Sequence, residues 1–199
     1  MDLEEYRTLF MVATLVLALV AASPVLSVFV PFQSGSERFS KLWLLGLGHM
    51  VEDYPFNVTV GEVYSVFVGV GNHMGSSEYY VVYVKFRNRT QSLPDVSGSL
   101  PSSLPPLYEF RFFVADGEAW ESPVTFAFQD VSFQDDSVFV GDVSINGVAF
   151  PVDASAVWSS ENIGFNFQLF FELWRYDKTS QSFQFHNRFV GLLLNATIS

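Results

Sequence analysis

VYSVFVGVG at residues 63–71 and YYVVYVKFR at 79–87 decide the fold. In the first stretch Tyr64, Val66, Val68 and Val70 fall on one face of an extended chain. In the second, Tyr80, Val82, Val84 and Phe86 do the same. A period of two carried by β-branched and aromatic residues marks a half-buried strand. Between the two runs, Asn72–Ser77, with Gly71 and Gly75, reads as a hairpin loop. Gly61-Glu62 supplies a turn into the first strand, and Gly69 and Gly71 leave room for a bulge or a close backbone approach.

The same alternation runs on in both directions. Phe39–Leu47 reads as an earlier strand, and Tyr108–Ala115, Val124–Phe128, Phe165–Tyr176 and Phe183–Ala196 as later ones, the last bent or broken near His186-Asn187. Ser92–Pro106 is rich in Ser, Pro and Leu and predicts an extended loop, because proline cannot donate to a sheet ladder. Gln129–Ser160 reads as an acidic insertion with short strands around Val138–Ile145 and Ala149–Val152. No long stretch after residue 33 shows helical periodicity. Seven to nine strands with regular turns predict an all-β domain over 39–199, an antiparallel β-sandwich of immunoglobulin-like type.

Ahead of this domain no charge occurs between Arg7 and Glu37, and Leu9–Phe32 is strongly apolar. As a helix its 24 residues would extend about 36 Å, more than the roughly 30 Å hydrocarbon core of a bilayer. The expected organisation is a cytoplasmic segment 1–8, a transmembrane helix 9–32, a spacer 33–38 and an extracytoplasmic domain. Leu9, Phe10, Val12, Leu15, Leu17, Leu19, Val25, Leu26 and Phe29 would face lipid, and Pro24 would kink or shorten the helix. A cleaved secretory signal is the rival. Its leader should be positive, whereas this one holds Asp2, Glu4 and Glu5 against Arg7.

Orientation is contested. Arg38 and Lys41 after the helix outnumber Arg7 before it, against the positive-inside rule. Three glycosylation sequons, at Asn57, Asn88 and Asn195, favour the domain outside; 8 Asn among 30 Ser plus Thr give roughly one by chance. Possible N-linked glycans and membrane lipid are therefore expected partners.

The bulk composition narrows the function. A net charge of −11 argues against nucleic acid as a partner, since phosphates need clustered Lys and Arg. Cysteine is absent, which removes disulfides and thiolate metal sites. Charged residues are 16% of the chain against roughly 25% for a soluble domain, a deficit that suits burial in lipid or against partners.

Glu37-Arg38-Phe39, Leu44-Leu45-Gly46, Asp53-Tyr54-Pro55, Val58-Thr59-Val60-Gly61-Glu62, Val68-Gly69-Val70-Gly71-Asn72-His73, Gly117-Glu118-Ala119-Trp120-Glu121-Ser122-Pro123 and the Phe167–Trp174 strand form one pattern. It resembles the soluble domain of an uncharacterised archaeal membrane-protein family, domain of unknown function 1616, over most of 37–199 apart from 129–160. The resemblance implies an archaeal cell-surface setting and brings no activity with it.

Chemistry is sparse. His49, His73 and His186 have no metal-ligand spacing. Asp130, Asp135, Asp136 and Asp142 are weak calcium candidates in a loop without the EF-hand pattern. No Ser sits in a nucleophile elbow, and Glu118, Glu121 and Glu172 are the carboxylates open to glycoside chemistry. No cofactor and no catalytic residue is expected. Aromatics are 17% of the chain, more than one core easily holds. Phe113, Phe170 and Trp174 point away from the face that Phe165, Phe167, Leu169, Phe171 and Leu173 share, and such two-faced strands predict a covered or docking surface. The sequence thus predicts a non-catalytic structural or accessory subunit docking on other membrane or cell-surface proteins, copies of itself included. A glycan- or ligand-binding module using Trp120 or Trp158 is one alternative. A pilin-like filament subunit, with Glu5 ahead of the apolar helix, is another, and a hydrolase stands last.

Overall fold

From Phe39 onward each alternating run becomes a strand in the computed structural model, which describes residues 6, 7, 9–18, 37–161 and 163–198. The chain divides into two units, Met1–Glu37 and Arg38–Ser199. The second is all-β, with ten strands: β1 (Phe39–Leu45), β2 (Asn57–Thr59), β3 (Tyr64–His73), β4 (Glu78–Asn88), β5 (Tyr108–Val114), β6 (Ala119–Gln134), β7 (Ser137–Ile145), β8 (Val148–Ser159), β9 (Gly164–Asp177) and β10 (Ser182–Thr197).

The strands form two ladders. One runs β1-β3-β6-β7-β8, the other β5-β4-β9-β10-β2. Two residue pairs, Trp158↔Phe165 and Ser159↔Gly164, join β8 to β9, so the ladders are halves of one sheet that curls back on itself. All pairings are antiparallel except β2 with β10, which is parallel. The inner faces meet in a single core. Val66, Val68, Val70, Val124, Phe126 and Phe128 of the first half pack against Tyr80, Val82, Val84, Phe86, Phe167 and Leu169 of the second. Phe128 sets its ring edge-on to Phe86 at 5.7 Å and to Phe167 at 5.8 Å. Such edge-to-face pairs contribute about 0.5–1.5 kcal/mol beyond their burial. Trp120 of β6 stacks flat on Phe112 of β5 at 3.6 Å and plugs the seam between the halves.

Two sequence expectations need correction. Asn72–Ser77 is not a hairpin loop. The strands it joins lie in opposite halves, β3 between β1 and β6, β4 between β5 and β9. Their apolar faces confront each other across the core instead of lying side by side, an arrangement periodicity cannot distinguish. Asn72 fixes the crossing: its amide N–H donates to the carbonyls of Ser76 (2.7 Å) and Val114 (2.9 Å), and its Oδ1 accepts the N–H of Met74. Nor is 129–160 an insertion of short strands, because β6, β7 and β8 run through it. Val138, Val140, Val143 and Ile145 bury themselves, with Phe139 exposed and Asp142 half-buried between them. The expected break at His186-Asn187 is a register shift between Phe185 and Arg188.

Trp43 of β1 lies across Gly69 of β3, where a Cβ would overlap the indole ring. Gly69→Ala should therefore displace Trp43 and cost about 1–3 kcal/mol, the usual effect of overpacking. A denaturant titration followed by tryptophan fluorescence measures it.

In the first unit residues 9–18 are helical, about 15 Å of helix. The Thr14 hydroxyl donates to the carbonyl of Phe10 at 2.6 Å, and Leu9, Phe10, Val12, Leu15 and Leu17 are exposed. Among the described residues no helix is long and apolar enough to cross a membrane. Leu19, Val25, Leu26 and Phe29, the rest of the expected anchor, lie outside the described residues, as does Glu5.

Candidate functional site

Strands β5, β4, β9 and β10 turn alternate side chains outward, and the register aligns them in rows. Tyr79 pairs with Phe113, Val81 with Arg111 and Trp174, Tyr83 with Glu109 and Glu172, and Lys85 with Phe170. Phe183 lies opposite Tyr176, and Phe185 opposite Trp174. The chain itself covers one half of this face and leaves the other open.

The covered half lies under the segment 89–107 that joins β4 to β5. Within it, Asp95 and Leu100 exchange backbone hydrogen bonds of 2.9 Å. Lys85 and Glu172 hold it down: Lys85 Nζ lies 2.9 Å from Glu172 Oε2 and donates to the carbonyl of Ser102 at 2.8 Å. Glu172 Oε1 accepts the Ser102 N–H at 2.8 Å, and its Oε2 accepts the indole N–H of Trp174 at 3.0 Å. The backbone N–H and C=O of one residue, Ser102, are thus both gripped by a buried ion pair. Further along, the Asn187 amide donates to Ser99 Oγ at 2.9 Å. The segment is a strap running from β4 across β9 to β10. It corrects the expectation for Phe170, which is fully buried instead of free to dock.

On the open half the rings form a platform of two neighbouring clusters, joined through the strand that carries Trp174 and Tyr176. Phe113 stacks on Tyr79 at 4.3 Å with 11° between planes. Tyr79 also meets Phe183 at 5.1 Å, Tyr176 meets Phe183 at 5.5 Å, and Trp174 meets Tyr83 at 5.5 Å and Phe185 at 5.9 Å. Phe113 is 74% exposed; its neighbours are half-buried. At the edge, Arg111 forks onto Glu109 at 2.7 and 3.1 Å and lies 5.4 Å from the Phe183 ring centre. The hydrogen bonds that Arg111 donates to Glu109 raise its guanidinium further, and burial followed by the Glu109 charge raises Tyr83. So Phe113 and Trp174 stand together on one surface, and Phe170 stands beneath the strap.

A second polar cluster lies inside the core. His186 Nε2 is 3.0 Å from Ser40 Oγ, which is 2.7 Å from Tyr80 OH, which donates to Asn72 Oδ1 at 3.1 Å. An amide oxygen only accepts, so the chain of donors runs one way, from His186 through Ser40 and Tyr80 to Asn72. His186 Nε2 therefore carries a proton and cannot take that of Ser40, as activation of a nucleophile requires. Ser40, Tyr80 and Asn72 are fully buried. Burial, then the charges of Arg175 and Arg188, lowers His186 from 6.5 to about 4, and burial raises Tyr80.

Other sequence candidates fall elsewhere. His49 Nδ1 meets Glu121 Oε1 at 2.8 Å on the outer face of the first half, with Trp43 Nε1 donating to Glu121 Oε2. His73 packs on Phe39. Asp135 and Asp136 sit at the tip of the β6–β7 turn, whereas Asp130 and Asp142 flank the bulge at Gly141, about 15 Å along the strands. That spacing keeps the four from sharing one ion, and among the described residues no group of three or more His or acidic side chains forms a metal site. Trp158 is half exposed, and Trp120 is engaged at the seam. Asn57 is exposed. Asn88 Oδ1 accepts the hydroxyl of Thr90 within its sequon at 2.8 Å. Asn195 is buried, its amide donating to Asn57 Oδ1 and its oxygen accepting the Phe165 N–H.

Sequence reading missed the Lys85–Glu172 clamp, yet a signal is present. Each is the lone charge within a largely apolar strand stretch, YYVVYVKF and FQLFFELW, and a charge there demands a partner.

The family pattern described as Domain of unknown function (DUF1616) matches residues 33–134, just over half of the chain, ending at the last residue of β6. No curated protein matches. Among solved structures, the crystal structure of beta-glucosidase from Listeria innocua in complex with glucose resembles the chain at 10% identity and a TM-score of 0.35. That likeness covers 82% of this chain, which spans only 17% of the enzyme's, too distant to bear on chemistry.

Proposed function

The chain belongs to the family of domain of unknown function 1616, and we propose that it is a non-catalytic accessory subunit whose aromatic platform docks on a neighbouring membrane or cell-surface protein. One observation carries this reading: seven rings stand on the open half of one sheet face in two neighbouring clusters, Tyr79, Phe113, Tyr176 and Phe183 in one and Tyr83, Trp174 and Phe185 in the other. Aromatic side chains with an adjoining Arg are the composition of interface hot spots. In the same reading the apolar run 9–32 anchors the chain in a bilayer, with the domain on the outer side of an archaeal cell and glycans at the exposed sequons. The domain is read as immunoglobulin-like because β1-β3-β6 opposes β5-β4-β9-β10, as in two-sheet sandwiches of that type.

The test uses Phe113→Ser. Its side chain lies outside the core and, among the described residues, stacks only on Tyr79, so the unfolding free energy should fall by no more than about 1.5 kcal/mol. Proteins that co-migrate with the wild-type chain on native gels of mildly solubilised membranes should be lost. A wild-type chain that migrates alone would sink the reading. Retention on a glycan array that Phe113→Ser abolishes would assign the platform to ligand binding instead.

A further inference from the structure

Strand β5 is an edge: among the described residues it pairs with β4 alone. Edge strands usually carry charges that repel a second copy. The sequence Leu107-Tyr108-Glu109-Phe110-Arg111-Phe112-Phe113 does the reverse, because it is self-complementary about Phe110. When two identical strands lie antiparallel with Phe110 opposite Phe110, Glu109 of each faces Arg111 of the other, Tyr108 faces Phe112 and Leu107 faces Phe113. Every cross-strand pair is then aromatic, apolar or oppositely charged, the combinations that stabilise a ladder. Moving the register so that Arg111 faces Arg111 places like charges together, so charge selects a single alignment.

We propose that β5 pairs with β5 of a second copy of this chain in that register, giving a two-fold dimer with a ten-stranded sheet across its interface. Glu109 and Arg111 already touch within one strand and are exposed, so exchanging partners between copies needs only side-chain rotation. The pairing would supply the missing ladder on the edge of β5 and cover Phe113. The two readings share Phe113, and the cross-link at Phe110, which leaves every ring of the platform in place, tests the dimer alone.

The natural chain lacks cysteine, which makes single-cysteine cross-linking clean. In the purified full chain, Phe110→Cys should form a disulfide-linked dimer under mild oxidation, since residue 110 meets itself, while Glu109→Cys should form at least tenfold less. A Phe110→Cys chain that keeps its far-ultraviolet circular dichroism and stays monomeric overturns the proposal. Charge exchange tests the same register without touching the core. Glu109→Arg or Arg111→Glu alone should raise the dimer dissociation constant at least tenfold, and the two together should restore it. Unchanged dimerisation in both single variants, or no recovery in the double, overturns the register; a wild-type chain monomeric at high micromolar concentration overturns the dimer.

Discussion

Glu172→Gln is expected to lower stability by about 3–5 kcal/mol, the usual cost of stranding one partner of a buried ion pair. The substitution keeps the shape of the side chain but leaves the buried Lys85 ammonium without a counter-charge, 3% exposed. At a slope of about 1–3 kcal/mol per molar urea, the midpoint should fall by about 2 M. The strap separates this pair from an ordinary one. In many proteins, replacing both partners by apolar residues of similar volume restores or raises stability. Here Lys85→Met combined with Glu172→Leu should recover only part of the loss. The N–H and C=O of Ser102, both satisfied by the pair, would be stranded against an apolar wall, at about 1–3 kcal/mol for each group left unmade. Full recovery in the double variant would show that the ion pair does not hold the strap. Hydrogen exchange over 92–106 reports the same event locally, with faster exchange expected in either variant.

His186 should set the acid limb of the stability curve. Its folded pKa, about 4, lies below the unfolded 6.5, so the fold prefers the neutral ring. Above 6.5 both states are neutral and nothing is lost. As pH falls through 6.5 the unfolded chain takes a proton that the folded chain refuses, and stability declines until about pH 4, where it levels. The whole window corresponds to at most about 3 kcal/mol. The charges set against the ring are Arg175 of β9 and Arg188 of β10, while Ser40 of β1 and Tyr80 of β4 meet it as neutral hydroxyls. His186→Gln keeps an N–H donor for Ser40 and removes the titration. Its stability between pH 6.5 and 4 should be flatter than that of wild type. Equal slopes in the two proteins would refute the assignment.

How far the sequence revealed this molecule depends on the range of each signal. Alternation is local, so VYSVFVGVG and YYVVYVKFR announced strands to within two residues of β3 and β4. Which strands become neighbours is not local. The same alternation serves two strands side by side or face to face, and only the Asn72 hydrogen bonds settle the crossing. The interface expectation split for a related reason. Phe113, Phe170 and Trp174 all point outward as the period of two requires, but whether an outward ring meets solvent depends on a loop whose path comes from Ser102, Lys85 and Glu172. Proline and serine in 92–106 excluded a central strand correctly and could not say that the loop would lie down on the sheet. The aspartates of 129–142 are close in sequence, and the extended β6–β7 hairpin pulls them apart in space.

The parallel pairing of β2 with β10 sets Asn57–Thr59 beside Asn195–Thr197, and β4 finds its inner neighbour β9 some 80 positions later. Contacts so distant along the chain make loop closure the slow part of folding. On a ribosome β4 and β5 emerge well before β9, holding Val81 and Lys85 exposed until the ninth strand arrives. The segment that matches the family pattern ends at Gln134 and so contains half a ladder without its central strand. Residues 33–134 expressed alone would present an unpaired edge of β4 to any strand within reach. The β-sheet of this chain therefore extends well past the residues that match the family pattern.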